Sequence, residues 1–270
     1  MRRSPTRVNS YRLDCLAFWS LLAAAWTLWS GCEPELVVGR WSCNPNDAGV
    51  AANDTEAVPM PWSTSFESDF CDYEQAGGFC YAAPLAQYET VTSPVHSGRY
   101  SAAFRVRAGE DDAHQTRCVR QGVLPAAAYY GAWYFIPSGA RNSALWNLVH
   151  FRGGDPTAQR GLWDISLENR ADGTLGVTVF DFLHGTVLRP TKPKAIPVGA
   201  WFHLELYLRR AADTTGEVAL YQDGEKVLER KNLVTDDTRW GQWYVGNLAT
   251  GLAPADSVVY VDDVTIRSDR

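Results

Sequence analysis

Residues 146–152 read Trp-Asn-Leu-Val-His-Phe-Arg. Side chains alternate between the two faces of a strand. The spacing therefore predicts Trp146, Leu148, His150 and Arg152 on one face, and Asn147, Val149 and Phe151 on the other. The first face would carry a flat ring, an imidazole that titrates near neutral pH, and a guanidinium shaped to grip a carboxylate. Trp163 of "LWDISLE" offers a further ring. An aromatic face stacks on the apolar face of a sugar while polar neighbours take its hydroxyls. A cation that neutralises a carboxylate, a base, and a phenol that returns a proton are the parts of a β-elimination from a uronic acid. Each residue also has a plainer reading as a wet strand surface, a solvated charge or a core ring. Whether the face only grips a sugar or breaks it stays open at this point.

Strands must position these groups. The chain shows no long helical period and no internal repeat. Short runs rich in Val, Tyr, Phe and Trp alternate with Gly, Pro, Asn and Asp, as in "AYYGAWYFI", "LGVTVFDF" and "VVYVDDVTI". "WFHLELYL" alternates strictly. Phe202, Leu204, Leu206 and Leu208 are expected inward, with Trp201, His203, Glu205 and Tyr207 outward. That outward strip belongs either to the same cleft as His150 or to the opposite exterior. "ADGT", "DTTG" and "QDGE" fit hairpin turns. Many two-faced strands imply an all-β fold, a two-sheet antiparallel jelly-roll sandwich, over residues 61–270.

The first 31 residues read as an export signal. "MRRSPTRVNSYR" is basic, "CLAFWSLLAAAWTLWS" is mostly apolar, and "GC" closes the segment. "LWSGC" resembles a bacterial lipobox, which implies that Cys32 is lipidated and heads the mature chain, with outer-membrane or surface display. Ordinary secretion, with Cys32 in a disulfide, is the alternative. Residues 32–60 lack any period and read as a tether. Removing residues 1–31 takes away four Arg and one Asp and moves the formal charge from −6 to −9. An acidic chain without a Lys/Arg cluster argues against nucleic acid, and against anionic lipid beyond an anchor. With Cys32 acylated, Cys43, Cys71, Cys80 and Cys118 suit two disulfides in an exported chain. The short loop "CDYEQAGGFC" favours Cys71–Cys80, leaving Cys43–Cys118. A monomer is expected.

"GAWYFIP", "WFHLELYLRRAADTTGEVALYQDGEKVLE", "YVGN" and "VYVDDVTI" resemble the concanavalin A-like jelly rolls. That superfamily includes laminin-G-like modules, laminarinase-type hydrolases and alginate-lyase-type polysaccharide lyases. The resemblance implies the fold and leaves three functions: a polysaccharide binder, a polysaccharide lyase, or a laminin-G-like adhesion module. It implies a structural Ca2+ held by Glu67, by the Gly98 carbonyl and by Asp262, whose parity with Val264 and Ile266 points it at the core. For a lyase it implies Arg117 as carboxylate neutraliser and Gln115 beside it, His150 or Tyr244 as base, and Tyr244 as acid. Leu148 stands where the lyase pattern has Gln. Trp146, Arg152, Trp163, Arg120 and Asn247 would bind the sugar. A hydrolase is disfavoured. Leu162 occupies its nucleophile position, and Asp164 and Glu168 lie about 13 Å apart along a strand, too far to flank one glycosidic bond.

Overall fold

The computed structural model describes residues 57–75, 77–107, 114–155 and 158–270. The expected signal, Cys32, Cys43 and most of the tether lie outside the described residues. No helix among those described is long and apolar enough to cross a membrane.

The elements in chain order are β1 (Trp62–Thr64), a single turn of helix α1 (Cys71–Gln75), β2 (Phe79–Ala82), β3 (Ala86–Val91), β4 (Ser101–Arg107), β5 (His114–Gly122), β6 (Ala127–Phe135) and β7 (Arg141–Asn142). Then come β8 (Trp146–Asp155), β9 (Ala158–Asn169), β10 (Leu175–Asp181), β11 (Thr186–Leu188) and β12 (Trp201–Arg209). The last are β13 (Gly216–Gln222), β14 (Glu225–Leu233), β15 (Trp240–Ala249), β16 (Leu252–Ala253) and β17 (Asp256–Arg267). One sheet runs β14-β13-β12-β6-β17-β4-β3, with β1 also paired to β17; the other runs β11-β10-β9-β8-β15-β5-β2. All named pairs are antiparallel, as the sandwich requires. Ala57 bridges Val123 and Val58 is buried, so the domain starts slightly before residue 61.

The period-2 pattern builds the core. Phe202, Leu204, Leu206 and Leu208 are all buried between the sheets, facing Phe151, Trp163, Ile165, Val177 and Val179 of the other layer. The opposite strip, Trp201, His203, Glu205 and Tyr207, therefore lies on the far exterior of the eight-stranded sheet, away from His150.

The disulfide pairing differs from the expectation. Cys80 on β2 and Cys118 on β5 are opposed in register and bonded, with Cα atoms 4.0 Å apart. Cys71 is also disulfide-bonded, but not to Cys80. The loop reading failed because "FCYA" is itself a strand, whose pairing with β5 sets Cys80 directly opposite Cys118.

The chain crosses from one sheet to the other between β14 and β15, and a buried ion pair fixes that crossing. Arg210 Nε donates to Asp236 at 2.6 Å, and Arg210 Nη2 donates to the carbonyls of Thr238 and Arg239. Asp236 also accepts from Thr238 N and Oγ1. Removing one member leaves a buried charge without its partner. Arg210→Met should lower unfolding free energy by about 3–5 kcal/mol in chemical denaturation; an unchanged midpoint would contradict this anchoring.

Candidate active site

Four neighbouring strands, β5, β15, β8 and β9, supply the site on the outer face of the seven-stranded sheet. β8 does not alternate as its sequence predicts. Asn147 pairs Ser166 and Val149 pairs Ile165, so Leu148 is an extra residue, a β-bulge. The bulge reverses parity along the strand. Val149 and Phe151 point into the core, and so does Trp146, while Asn147 joins His150 and Arg152 outside. Across the ladder β15 bends at the same level, between Val245 and Leu248. Gly246 there (φ 149°) lies so close to β5 that a Cβ would fall 2.8 Å from Arg117 Cα and 2.4 Å from the Thr116 carbonyl oxygen. Only glycine lets β5 bring Arg117 this near.

Arg117, Asn147, His150 and Tyr244 converge. Arg117 Nη2 donates to Asn147 Oδ1 at 2.6 Å, and its guanidinium carbon lies 5.6 Å from the Tyr244 ring centre. The Tyr244 and His150 rings meet edge to face at 5.2 Å. Asn147 Nδ2 donates to the Val149 carbonyl at 2.9 Å, which fixes the amide with its oxygen towards Arg117. Tyr244 donates its hydroxyl to Gln242, which in turn donates to Gln121 at 3.0 Å. Arg117 is only 4% exposed. Among the described residues it has no carboxylate partner, and its Nε has no hydrogen-bond partner. A buried cation in that state suits an incoming anion.

His150 Nδ1 bonds to Asp164 on β9. A carboxylate only accepts, so the hydrogen lies on Nδ1 and the lone pair on Nε2. Burial pushes the imidazole below the ordinary histidine range; Asp164 opposes this, while Arg117 and Arg152 add to it. The neutral ring is thus the resting form near pH 7. The His150 side chain remains 15% exposed, enough to reach a ligand.

The sequence placed several other residues here. Gln115 is on this face and accepts from the Tyr81 hydroxyl at 3.0 Å. Arg152 is half-buried on the same face, opposite Gln242. Four expectations are corrected. Trp146 is fully buried between the sheets and donates to Asn247 at 3.2 Å. Asn247 also faces inward and donates to the Phe104 carbonyl of the other sheet. Trp163 shares its face with Ile165 and Leu167 and donates to the Thr235 carbonyl. Arg120 is fully buried over the Trp62 ring, and desolvation pulls its pKa down to about 10. Truncating a buried Trp costs about 3–5 kcal/mol, so Trp146 and Trp163 serve the core. The residues missed were Asn147, Asp164 as partner of His150, Gln242 and Tyr81. Glu168, the second hydrolase carboxylate, is instead held by Arg189 at the end of β9.

The residues expected around Ca2+ do gather at one loop. Glu67 Oε1 accepts from the backbone of Arg99 and Tyr100, at 2.7 and 2.9 Å. Asp262 accepts from the backbone of His96, Ser97 and Asp263. Gly98 packs so tightly on Glu67 that a Cβ would fall 2.4 Å from Oε1. One expectation is corrected. Irregular pairing after Asp262 reverses parity, so Val264 is core while Asp262 lies beside Trp133 on the outer side, under the loop. Burial lifts the Asp262 pKa to about 6, and among the described residues no cationic side chain pairs with it. Oxygen donors around an uncompensated buried carboxylate fit Ca2+ in type. Among the described residues no three His, Cys, Asp or Glu side chains cluster, so loop carbonyls would have to complete any shell.

No family model matches the chain, and no curated protein does. Solved structures do. An endo-β-1,4-glucuronan lyase from the fungus Trichoderma reesei superposes with a TM-score of 0.56 at 18% identity, covering 70% of this chain and 90% of that one. The cellulose-induced protein Cip1 gives 0.53 at 17%, covering 77% and 97%. The marine PL-14 alginate lyase from Aplysia kurodai gives 0.53 at 11%, covering 77% and 98%. At these identities the likeness shows the jelly-roll fold and nothing finer. Polysaccharide lyases are prominent among the neighbours.

Asp164 accepts from the imidazole, and its charge opposes the burial that lowers the His150 pKa. Removing that charge lowers the pKa further, so Asp164→Asn should shift the His150 titration, followed by NMR of the ring protons, to lower pH. A titration that stays in place would contradict the pairing.

Proposed function

We propose that this chain is a polysaccharide lyase that cleaves a uronic-acid polymer by β-elimination. The observation that carries this reading is the convergence of Arg117 and Asn147, without an acidic partner among the described residues, beside a neutral His150 and the Tyr244 hydroxyl. The lyases among the structural neighbours support it at the level of fold.

Arg117 receives the uronate carboxylate and supplies positive charge, and Asn147, held by its bond to the Val149 carbonyl, positions the guanidinium through Oδ1. Neutralising that carboxylate acidifies the adjacent C5 proton, because the charge that develops on removal spreads onto it. His150 Nε2 takes the proton, and Asp164 steadies the imidazolium that forms. The C5–H electron pair becomes the C4=C5 double bond as the C4–O bond breaks. Tyr244 gives its proton to the leaving oxygen. Water or buffer then reprotonates the phenolate and relieves the imidazolium. The products are a new reducing end and an unsaturated uronate at the new non-reducing end.

Incubation with glucuronan, alginate and related uronans should raise the ultraviolet absorbance of the unsaturated product. His150→Ala and Tyr244→Phe should each abolish the signal down to background, a loss of at least about 10²-fold. Arg117→Ala should depress kcat/KM by about 10²–10³-fold. Retention of all these uronans on the protein with no absorbance change would replace the lyase with a polysaccharide binder.

Ca2+ at the loop bracketed by Glu67 and Asp262 belongs to the same proposal, as a structural ion. After chelator treatment, added Ca2+ should raise Tm by several degrees, since an ion that binds only the folded state stabilises it in proportion to the logarithm of its concentration above Kd. A Tm indifferent to chelator and Ca2+ would remove the ion from the account.

A further inference from the structure

We infer that Phe182 is the sugar-stacking platform next to the reacting unit, an inference that rests on the lyase reading of the groove. Phe182 follows β10 directly, is 41% exposed, and borders the polar face that carries His150. Its ring sits 5.8 Å from the His150 ring, and the strand order β10-β9-β8-β15 puts it across His150 from Tyr244. Behind it lies Gly161 of β9. A Cβ there would meet three ring carbons of Phe182 at 2.9 Å, so the ring rests directly on backbone. Phe180 supports it edge-on at 4.7 Å.

The turn does not need this ring. Asp181 accepts from His184 N and Nδ1, and Phe182 N donates to the Leu162 carbonyl. These bonds close the turn whatever side chain stands at position 182. The structure thus spends apolar exposure on a ring that is braced behind and at one edge. A braced aromatic face with its other side open is what a pyranose ring stacks upon. The site therefore reads at least two consecutive sugars: one over Tyr244 and His150, held by Arg117, and its neighbour over Phe182.

The test pairs binding with turnover. In a His150→Ala background, titration calorimetry with glucuronan and alginate oligosaccharides should show Phe182→Ala weakening affinity about tenfold, the scale of one stacking contact. In the active protein the same change should raise KM by about that factor while kcat holds, and Phe182→Trp should restore it. Gly161→Ala, which displaces the ring without removing it, should weaken affinity in the same direction. If Phe182→Ala changes neither affinity nor KM while elimination continues, the platform is wrong and the lyase stands. If the wild type eliminates nothing yet Phe182→Ala still weakens glycan binding, the platform stands and the lyase reading fails.

Discussion

One inserted residue organises the site. Leu148 adds a step to β8, and every side chain before it changes face. Two interactions compete there. Regular pairing would keep the ladder intact, and one ladder hydrogen bond contributes about 1 kcal/mol net. The bulge instead buries the Trp146 indole between the sheets, where truncating such a ring costs about 3–5 kcal/mol. Burial wins, and the same reversal delivers Asn147 to the groove beside Arg117 and His150. Core burial thus sets where a polar group stands on the opposite face.

The site is built on strands. Arg117, Asn147, His150, Asp164 and Tyr244 all come from four paired strands rather than from loops. Gly246 lets β5 close on β15, and the Arg210–Asp236 pair fixes the segment that feeds β15. Electrostatics follow from that packing. Burial, with a smaller contribution from Arg117 and Arg152, lowers the His150 pKa, while Asp164 holds its hydrogen on Nδ1. That leaves a lone pair on Nε2.

The fold was legible because burial repeats every second residue. "WFHLELYL" alone distinguishes inside from outside: Phe202, Leu204, Leu206 and Leu208 lie between the sheets, while Glu205 on the outer face is buried beneath Arg267 and Arg270. The site was half legible. His150 keeps the face it shares with Arg152 because the bulge lies before it, whereas Gln115, Arg117 and Tyr244 came from the lyase resemblance rather than from parity. Trp163 was misread although its neighbours Ile165 and Leu167 mark that face as core; its ring type outweighed its parity. Trp146 and Asn147 were exchanged by a bulge that leaves no mark in composition. Asp262 was misplaced for the same reason at β17. Asp164 was weighed only as one half of a hydrolase pair, and a cross-strand partner fourteen residues away from His150 shows up only once the register is known. The Cys80–Cys118 bond likewise depends on register rather than loop length.

The most direct measurement is the mass of the chains released from a uronic-acid polymer such as glucuronan or alginate. The account predicts that every oligosaccharide, except the one that keeps the polymer's original non-reducing end, is lighter by one water than its hydrolytic counterpart and carries an unsaturated non-reducing end, and that the His150→Ala protein releases none. Internal fragments that carry the added water, or unsaturated fragments in undiminished yield from His150→Ala, would contradict it.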